Sequence, residues 1–457
     1  MNRPHLTASF GGLALSLIFA CSAQAQLGGL IGGTNNTVNN TQNAVNNLVS
    51  GAGGTLTSTL DSTLNTVGDV TGSVLSSTSV NSILPGGALS NALSANLETL
   101  SSSDSIVFSQ AVRDTIAANS LPSSTSQRLG AFQSMGAATR DIGSRLLQLR
   151  AGMYLGGANH KLATEFSDDG GGKGGKVVAM EDGTYWVIYA QGDRIDLDID
   201  SFGLAGTLDS RTWVATVAAE YHPNDYQTIG IAGSWSQTDT ELGNRLGSSD
   251  VEGGVVSVYG SWYDGPFYVD GLLAYGQFEH DISRTALNSR TAIADTDSDA
   301  FTAQFNTGRH MDLGPFVTGP YLQAEYQRSE IDNYHENGAG VFNLAVNDQE
   351  TDSLASEIGW QISMPIENAS GYIAPHVRVG WSHQYLNDGD PVHATLRAFP
   401  ANRLSLRPAN LDDDYLILGG GLVISRHGSF TLSADYEAQI AEDFLRHAAS
   451  VSLRIPF

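Results

Sequence analysis

Few side chains in this sequence have the type and spacing needed for chemistry. In the stretch SDDGGGKGGK, Gly170, Gly175 and Lys176 approach the spacing of a phosphate-cradling loop. However, Val177 stands where such a loop requires Ser or Thr, and no apolar strand precedes the glycines. The nucleophile motif G-x-S-x-G does not occur in the chain. We therefore expect neither a phosphate site nor a catalytic residue.

The candidate metal ligands are equally dispersed. His376 and His383 lie on one expected strand, but their difference in parity directs them to opposite faces. The spacing of the histidines does not match that of zinc sites. The acidic run at residues 412–414 lacks the glycine-turn spacing of a calcium loop, so a solvated strand entrance explains it better. The sequence predicts no metal and no cofactor.

A basic segment is the exception in a chain with a formal net charge of -25. Ser124 and Gln127 form a capping box just after Pro122, and apolar residues then recur with helical spacing. We expect a helix over residues 126–155, roughly 30 residues and about 45 Å long, which could cross a bilayer inside a hollow structure. Apart from Asp141, its charged residues are arginines: Arg128, Arg140, Arg145 and Arg150.

From Tyr185 to Phe457 the pattern changes to a period of two. In FTLSADYEAQI, for example, apolar side chains alternate with polar or charged ones. Such alternation predicts strands with one apolar and one polar face. By parity, the polar faces carry several acidic residues that we expect to line an interior: Glu220, Glu325, Glu357, Asp435 and Glu437.

The connections between these strands favour a barrel over a sandwich. Tight turns are expected at HPNDY, YDGP, DLGP, IENASG and SRHG, with longer polar stretches between them. The longer stretches include SQTDTELGNRLGSSD, HDISRTALNSRTAIADTDSD and the NYHENGAG region. Alternating short and long connections are typical of outer-membrane barrels. The sequence predicts a mainly β protein with twelve antiparallel transmembrane strands, an α-helix in the lumen and a low-complexity amino-terminal segment.

The last strand supports a membrane environment. In RHAASVSLRIPF the side chains expected to face lipid alternate with Arg454, Ser452 and Ser450, which we place toward the lumen. A terminal aromatic residue fits the aromatic girdle of such barrels. The alternative is an edge strand of a soluble β-protein, although exposed edges of that kind are usually blunted. The lipid-facing row consists of Phe457, Ile455, Leu453 and Val451, preceded by Ala449.

The amino-terminal part divides into four further regions. Residues 1–25 have the basic start, apolar run and small-residue cleavage signature of a secretory signal, with an acylated Cys21 as the alternative. Residues 26–103 form a Ser/Thr/Asn/Gly-rich stalk or exported segment with too little apolar bulk for a core. Residues 104–155 form a helical linker and pore helix, and 167–177 a glycine-rich hinge before a barrel at 185–457.

Charge and hydropathy exclude two classes of partner or topology. A strongly acidic chain does not suit nucleic acid, because phosphate binding depends on Lys and Arg. No segment reaches 18 uninterrupted apolar residues, so no spanning helix is expected. The chain is expected to be exported and to contact membrane lipid through its strands.

In its carboxy-terminal part the chain resembles the autotransporters of the type V secretion family. The resemblance is carried by ADYEAQIAEDFLRHAASVSLRIPF, SLASEIGWQIS, IAPHVRVGWSHQYLND and YDGPFYVDGLLAYGQFEH, over roughly the last 270 residues. It implies a signal peptide read by the Sec export machinery, an exported segment, a helix in the pore and a twelve-stranded translocator in the outer membrane of a Gram-negative bacterium. It also implies recognition of the terminal aromatic residue, here Phe457, by the barrel-assembly machinery.

Two departures from the family limit what the resemblance implies. Self-cleaving members carry an Asn-Asn pair in the pore helix, whereas here these pairs lie upstream, between residues 35 and 47. Esterase members carry a Gly-Asp-Ser nucleophile motif, but Gly68-Asp69 is followed by Val70. We therefore expect a translocator that exports and displays its own short amino-terminal segment and is not an enzyme. An outer-membrane channel and an esterase-like surface protein without a recognisable motif are the alternatives. The sequence does not identify the partner of the displayed segment.

Overall fold

The structure is a computed structural model. It describes residues 97, 107–108, 110–153, 184–200, 203–224, 226–368, 371–386, 391–406, 413–426, 430–442 and 444–456. The expected signal at residues 1–25, Cys21, the hinge at 167–177 and Phe457 lie outside this part of the chain, as does almost all of the stalk at 26–103. The described residues form one long helix followed by a β-barrel.

The helix, α1, spans Gln110–Met153. Twelve long strands follow it. They are β1 Tyr185–Ile199, β2 Leu208–Asn224, β3 Gln227–Leu242, β4 Gly247–Asp264, β5 Phe267–Thr285, β6 Thr291–Arg309, β7 Phe316–Ile331, β8 Gln349–Ser363, β9 Gly371–Leu386, β10 Asp414–Arg426, β11 Phe430–Ile440 and β12 Phe444–Pro456. Short strands Met311–Leu313 and Ile366–Asn368 extend two of the turns, and one-turn helices lie at Gly203–Ala205, Gly243–Arg245 and Gly340–Phe342.

Each long strand pairs antiparallel with the next, and the last pairs with the first. The closing ladder runs from Val187 opposite Pro456 to Ile199 opposite Phe444. This closure leaves no free edge in the sheet, which is the condition for strands to cross lipid. The predicted twelve-stranded antiparallel barrel is confirmed.

The two ends of the barrel differ. At the end where β1 begins and β12 ends, the strands are joined by short connections, two of which contain a glycine with positive φ, Gly265 and Gly314. We call this the turn end. The opposite end, the loop end, carries the two longest connections, residues 332–348 and 387–413. The expected alternation of short and long links therefore holds for only part of the barrel.

The outward faces show how far the strands pass through lipid. On β5 the outward side chains are apolar or small from Phe267 to Tyr275, a stretch of nine residues. That length matches the 9–11 residues that a tilted strand needs to cross a bilayer. Farther along the same face, Gln277, Glu279 and Asp281 are exposed and polar. The remainder of β5 therefore projects beyond the membrane at the loop end.

These projections correct one expectation. The stretches SQTDTELGNRLGSSD and HDISRTALNSRTAIADTDSD were expected to be long loops, but most of their residues belong to β3 and β4 or to β5 and β6. Their turns are tight, at Gly243–Arg245 and around Ser289. Outside the membrane the outward face no longer has to be apolar, so these strands carry a weak hydrophobic signal. Backbone pairing continues nevertheless, with Thr285 opposite Thr291.

A small second sheet covers part of the loop end. We call it the outer cap. Its four strands are Tyr334–His335, Leu344–Val346, Val392–Leu396 and Phe399–Leu406. Both long connections contribute to it, so that the cap joins the β7–β8 side of the barrel to the β9–β10 side. Its apolar side chains pack in one core with residues from the loop end of β5 and β6 and from α1.

The helix begins earlier than the sequence predicted. It runs continuously from Gln110 through Pro122, so the expected start at Ser124 and the capping box with Gln127 are wrong. A proline inside a helix removes one backbone hydrogen bond and costs about 3 kcal/mol. Packing of the preceding turns against the outer cap compensates for that cost, because Val112 and Ile116 are buried in its core. Propensity alone places the boundary at the proline, whereas tertiary burial moves it twelve residues upstream.

A pair of glycines on β3 offers a test of the packing inside the barrel. A methyl group at Gly230 would collide with the ring of Tyr259 on the inner face, whereas one at Gly233 would meet nothing within 4 Å. Gly230→Ala should therefore lower the free energy of unfolding by about 1–3 kcal/mol. Gly233→Ala is the matched control and should change it by less than about 0.5 kcal/mol. Urea unfolding in detergent measures both, and equal effects of the two substitutions would show that the ring does not lie over Gly230.

Candidate functional site

The site of interest is the barrel lumen, because α1 lies inside it. Side chains of the helix contact opposite parts of the wall: Ser134 Oγ lies 2.8 Å from Thr238 Oγ1 on β3, and Arg128 Nε lies 3.2 Å from Gln349 Oε1 on β8. Ser452 on β12 donates to Gln148 Oε1 at 3.1 Å. The helix is thus surrounded by strands, as predicted. With 44 residues it is about 66 Å long, enough to extend past the membrane.

The direction of the helix follows from its contacts. Val112 shares a core with Val392 of the outer cap, at the loop end. Gln148 donates to Asp435 on β11 at 2.8 Å and contacts Ser452, four residues before the end of β12. The chain therefore enters α1 at the loop end and leaves it near the turn end, where β1 begins.

The strongest polar contact between the helix and the wall involves Arg145. Its Nε and Nη2 donate to both carboxylate oxygens of Glu220 on β2, at 2.8 and 2.6 Å. The Tyr259 hydroxyl donates to Oε1 of the same carboxylate at 3.2 Å, and His222 Nε2 lies 3.3 Å from Oε2. A bidentate pair of this kind fixes both the position and the rotation of the arginine side chain. Both partners are almost completely buried.

Arg140 makes the second link. Its Nη2 lies 3.1 Å from Asp193 Oδ2 on β1, and its Nη1 lies 4.0 Å from Glu437 Oε1 on β11. Asp141 of α1 accepts from Thr216 Oγ1 on β2 at 2.5 Å. The helix therefore presents both charge signs to the wall, and each finds a polar partner. Asp193 was not among the residues expected to face the helix.

The two outer arginines of the predicted set are Arg128 and Arg150. Arg128 donates to the Gln349 side chain and, at 3.5 Å, to the Glu350 backbone oxygen. Arg150 lies within α1, but its side chain is outside the described part of the structure. The structure thus brings two of the four predicted arginines, Arg140 and Arg145, into contact with wall carboxylates.

The five predicted lumen acids occupy the inner face, but they have different partners. Glu220 and Glu437 reach helix arginines, and Asp435 accepts from the helix residue Gln148. Glu357 instead accepts from the Tyr321 hydroxyl on the wall. Glu325 is buried, and its Oε1 has no hydrogen-bond partner among the described residues.

The inner wall also contains basic residues that the sequence analysis missed. Arg378 on β9 forms an ion pair with Glu437 and lies 3.9 Å from Glu357. His376 Nε2 lies 2.7 Å from Asp435 Oδ1. Their period-two positions placed them on the polar face, and that parity was the available signal. Arg378 therefore balances part of the negative charge of the wall, and the helix arginines supply only part of the balancing charge.

Close approach of the helix to β4 depends on a glycine. A Cβ at Gly130 would come within 2.7 Å of Val251 Cγ2, so the backbone of α1 can lie against this strand only because position 130 has no side chain. On the other side of the helix a cavity of about 50 Å³ remains, bordered by Gly143, Gln304 and Glu325. The helix therefore leans toward one wall of the lumen.

The residues considered as metal ligands do not converge. His376 points into the lumen, whereas His383 lies on the outward face and contacts Asp414 at 2.9 Å. Across the residues that the structure describes, no group of three or more His, Cys, Asp and Glu side chains is arranged to hold a metal ion. Within the same part of the chain, no helix has both the length and the hydropathy required to span a bilayer.

The last strand presents its predicted lipid-facing row outward. Val451, Leu453 and Ile455 are 56%, 43% and 50% exposed, while Ser450 and Ser452 between them are buried on the inner face. Large apolar side chains with this exposure recur on the outward face of the other strands. Contiguous exposed apolar surface of this extent requires a nonpolar partner, and lipid supplies it around the whole circumference.

Comparison with known proteins agrees with this architecture. Residues 186–437, more than half of the chain, match the family model described as Autotransporter beta-domain. The chain therefore belongs to the autotransporter family, whose barrel resides in the bacterial outer membrane. The translocator domain of autotransporter NalP from Neisseria meningitidis has a similar fold, with a TM-score of 0.50 and 13% identity, over 59% of this chain and 88% of that one.

Curated relatives share only part of their length with this chain. Esterase EstA of Pseudomonas aeruginosa is 21% identical over 280 residues, covering 60% of this chain and 43% of the relative. The autotransporter adhesin/invasin TibA of Escherichia coli is 24% identical over 167 residues, covering 35% of this chain and 16% of the relative. The chain thus spans less than half the length of these relatives.

The Arg145–Glu220 pair provides a quantitative test of the lumen contacts. Arg145→Met leaves the Glu220 carboxylate buried without its cation, which should lower the free energy of unfolding by about 3–5 kcal/mol. The double substitution Arg145→Met with Glu220→Gln should recover much of that loss, because no uncompensated charge remains. Arg194→Met is the control, since its pair with Asp196 is exposed and should cost at most about 1 kcal/mol.

Urea unfolding in detergent, followed by tryptophan fluorescence, measures these changes. If Arg145→Met costs no more than Arg194→Met, the lumen pair does not hold the helix.

Proposed function

We propose that this protein is an outer-membrane translocator and anchor that carries its own amino-terminal segment to the cell surface. The observation that supports this most directly is the direction of α1. The helix starts at the loop end, so the residues that precede it emerge there, while β1 begins at the turn end. In outer-membrane barrels the short turns face the periplasm and the longer loops face the exterior. The segment upstream of α1 is therefore displayed outside the cell.

The lumen contacts explain how the segment stays attached. Buried pairs such as Arg145–Glu220 are costly to break one partner at a time, so they hold α1 in one position within the barrel. The chain also continues covalently from α1 toward β1. Because the Asn-Asn pairs of the sequence lie far upstream of the helix, we propose that the displayed segment remains part of one polypeptide.

A diffusion channel is the second candidate, and the filled lumen argues against it. The cavity beside Gly143 and Glu325 measures about 50 Å³, room for a few water molecules. An open channel of this barrel would require α1 to leave. We therefore favour display of the upstream segment over passage of solutes as the function of the folded protein.

We also propose that the protein is not an enzyme. The names of some relatives contain esterase or lipase, but the match to Esterase EstA covers less than half of that relative. The Gly-Asp-Ser motif expected of esterase members does not occur in this chain. The contacts between helix and wall explain the charged residues of the lumen without a catalytic role.

Three partners follow from this function. Lipid covers the outward apolar face, of which Leu453 and Ile455 are part. The Sec machinery would read the amino-terminal signal, and the barrel-assembly machinery would read the terminal strand ending in Phe457. The contact made by the displayed segment itself is a property of residues 26–103, whose composition indicates no particular ligand.

Protease accessibility in intact cells tests the proposal. An epitope inserted after Leu60 should be removed by protease added outside, as should one at Ser289 in a loop-end turn. An epitope at Gly265, in a turn at the opposite end, should remain protected until the outer membrane is opened. The proposal fails if the Leu60 epitope is protected while the Ser289 epitope is cut, because the upstream segment would then lie in the periplasm.

A further inference from the structure

The outer cap encloses residues that precede the barrel by many positions in sequence. Leu97 and Phe108 are 1% and 2% exposed, and both lie in the same apolar core as cap residues. Val107, next to Phe108, is 54% exposed. Burial is therefore specific to particular side chains of this stretch, as expected for anchors that fit a defined surface.

Phe108 makes the most defined contact. Its ring packs edge to face against Phe399, with centroids 5.0 Å apart. Its backbone N–H donates to the Asn402 side chain at 2.5 Å, and Asn402 in turn donates to the Phe399 backbone oxygen at 3.1 Å. Aromatic pairs of this geometry add to the effect of buried area. The cap thus provides both an apolar pocket and a polar contact for this position.

A polar network joins the same surface to the start of α1. Arg284 on β5 forms a buried ion pair with Glu336 of the connection that builds the cap, and its Nη1 donates to Asn119 of α1 at 3.2 Å. Asn119 also donates to the Thr285 backbone oxygen at 3.4 Å. Burial opposes the charged form, but the Glu336 carboxylate raises the pKa of Arg284 above its ordinary value, so the guanidinium stays charged. Barrel, cap and helix are fixed together at this point.

We infer that the outer cap is a clamp for the exported segment, with Phe108 and Leu97 as its anchor residues. The clamp attaches the segment to the barrel without a covalent bond, in addition to the contacts of α1 in the lumen. This inference rests on the proposed display function for its biological meaning, whereas the contacts themselves hold in either orientation. The exported segment then stays bound to the barrel even when the chain is cut between α1 and β1.

The clamp has a physical basis distinct from the lumen contacts. In the lumen the helix is held by ion pairs together with apolar clusters of its own, whereas at the cap it is held by a separate apolar core that includes Val112 and Ile116. The two attachments therefore respond to different substitutions. A change at Phe108 weakens the cap contact and leaves the Arg145 pair intact.

A cleavage experiment on the purified full chain tests the inference. A recognition sequence for a site-specific protease is inserted within residues 167–177, and the protein is cut after folding in detergent. The fragment carrying α1 should remain bound to the barrel. In urea below the barrel's own transition, Phe108→Ala should speed its dissociation by at least roughly 100-fold, the lower limit of the factor that corresponds to deleting a buried phenylalanine.

Val107→Ala is the matched control and should leave dissociation within about twofold of the unsubstituted protein, because that side chain is exposed. If Phe108→Ala prevents folding, Val112→Ala removes less buried surface and should speed dissociation roughly tenfold. Heat-dependent gel mobility confirms an intact barrel in each case. Equal dissociation of the Val107 and Phe108 variants, or of the Val107 and Val112 variants, overturns the clamp.

The assay uses protein in detergent, so its result does not depend on which side of a membrane the cap occupies. If the dissociation assay rejects the clamp but protease removes the Leu60 epitope from intact cells, the display function still stands. If the assay supports the clamp but the Leu60 epitope is protected, only the display function is rejected.

Discussion

Closure of the sheet is the constraint on which the rest of the structure depends. In hydrocarbon an unpaired backbone group costs several kcal/mol, so the strand ladder has to return to its start. The pairing of β1 with β12 achieves this. Once the ring is closed with its apolar side chains outward, the alternation of the strands turns their polar side chains inward. A lumen lined with carboxylates, hydroxyls and amides thus follows from the need to pair every backbone polar group in lipid.

Such a lumen has polar groups that must be satisfied, and α1 satisfies many of them. An α-helix with its side chains is about 10–12 Å across, a size that the ring of twelve strands can hold. Arg145 and Arg140 form ion pairs with Glu220 and Asp193, while Ser134 and Gln148 form hydrogen bonds with side chains of other strands. Helix and wall therefore depend on each other, because each leaves buried polar atoms unpaired without the other.

Apolar contacts of α1 continue along the whole axis. Toward the turn end Ile142 and Leu146 pack with Val214 beside the ion pair of Arg145. Toward the loop end Leu129 and Phe132 pack with Leu197 and Leu208, and beyond them Val112 packs in the outer cap. The apolar contacts close the barrel around the helix, and the ion pairs fix its rotation.

The sequence predicted those features that depend on local alternation. The inner and outer faces, including the outward row with Val451, Leu453 and Ile455, follow from a period of two, and the strand number follows from the connections between the alternating segments. Features that depend on tertiary context were not predicted. The helix continues through Pro122 because the cap buries its earlier turns. The strands continue beyond the membrane, where outward residues such as Glu279 are polar and the sequence no longer alternates between apolar and polar side chains. Individual partners such as Asp193 and Arg378 depend on register across neighbouring strands, which a single strand pattern does not contain.

The central claim is that α1 lies within the barrel at a defined height and rotation, and a cysteine cross-link tests it most directly. Ser134 Oγ and Thr238 Oγ1 are 2.8 Å apart, so we expect the sulfurs of cysteines at these two positions to come close enough to form a disulfide. In a chain with Cys21→Ala, the pair Ser134→Cys and Thr238→Cys should form an intramolecular disulfide in membranes under mild oxidation. Ser134→Cys with Gln237→Cys, whose side chain lies on the other face of β3, should not. Absence of the cross-link in the first pair, or equal cross-linking in both, would contradict the placement of the helix in the lumen.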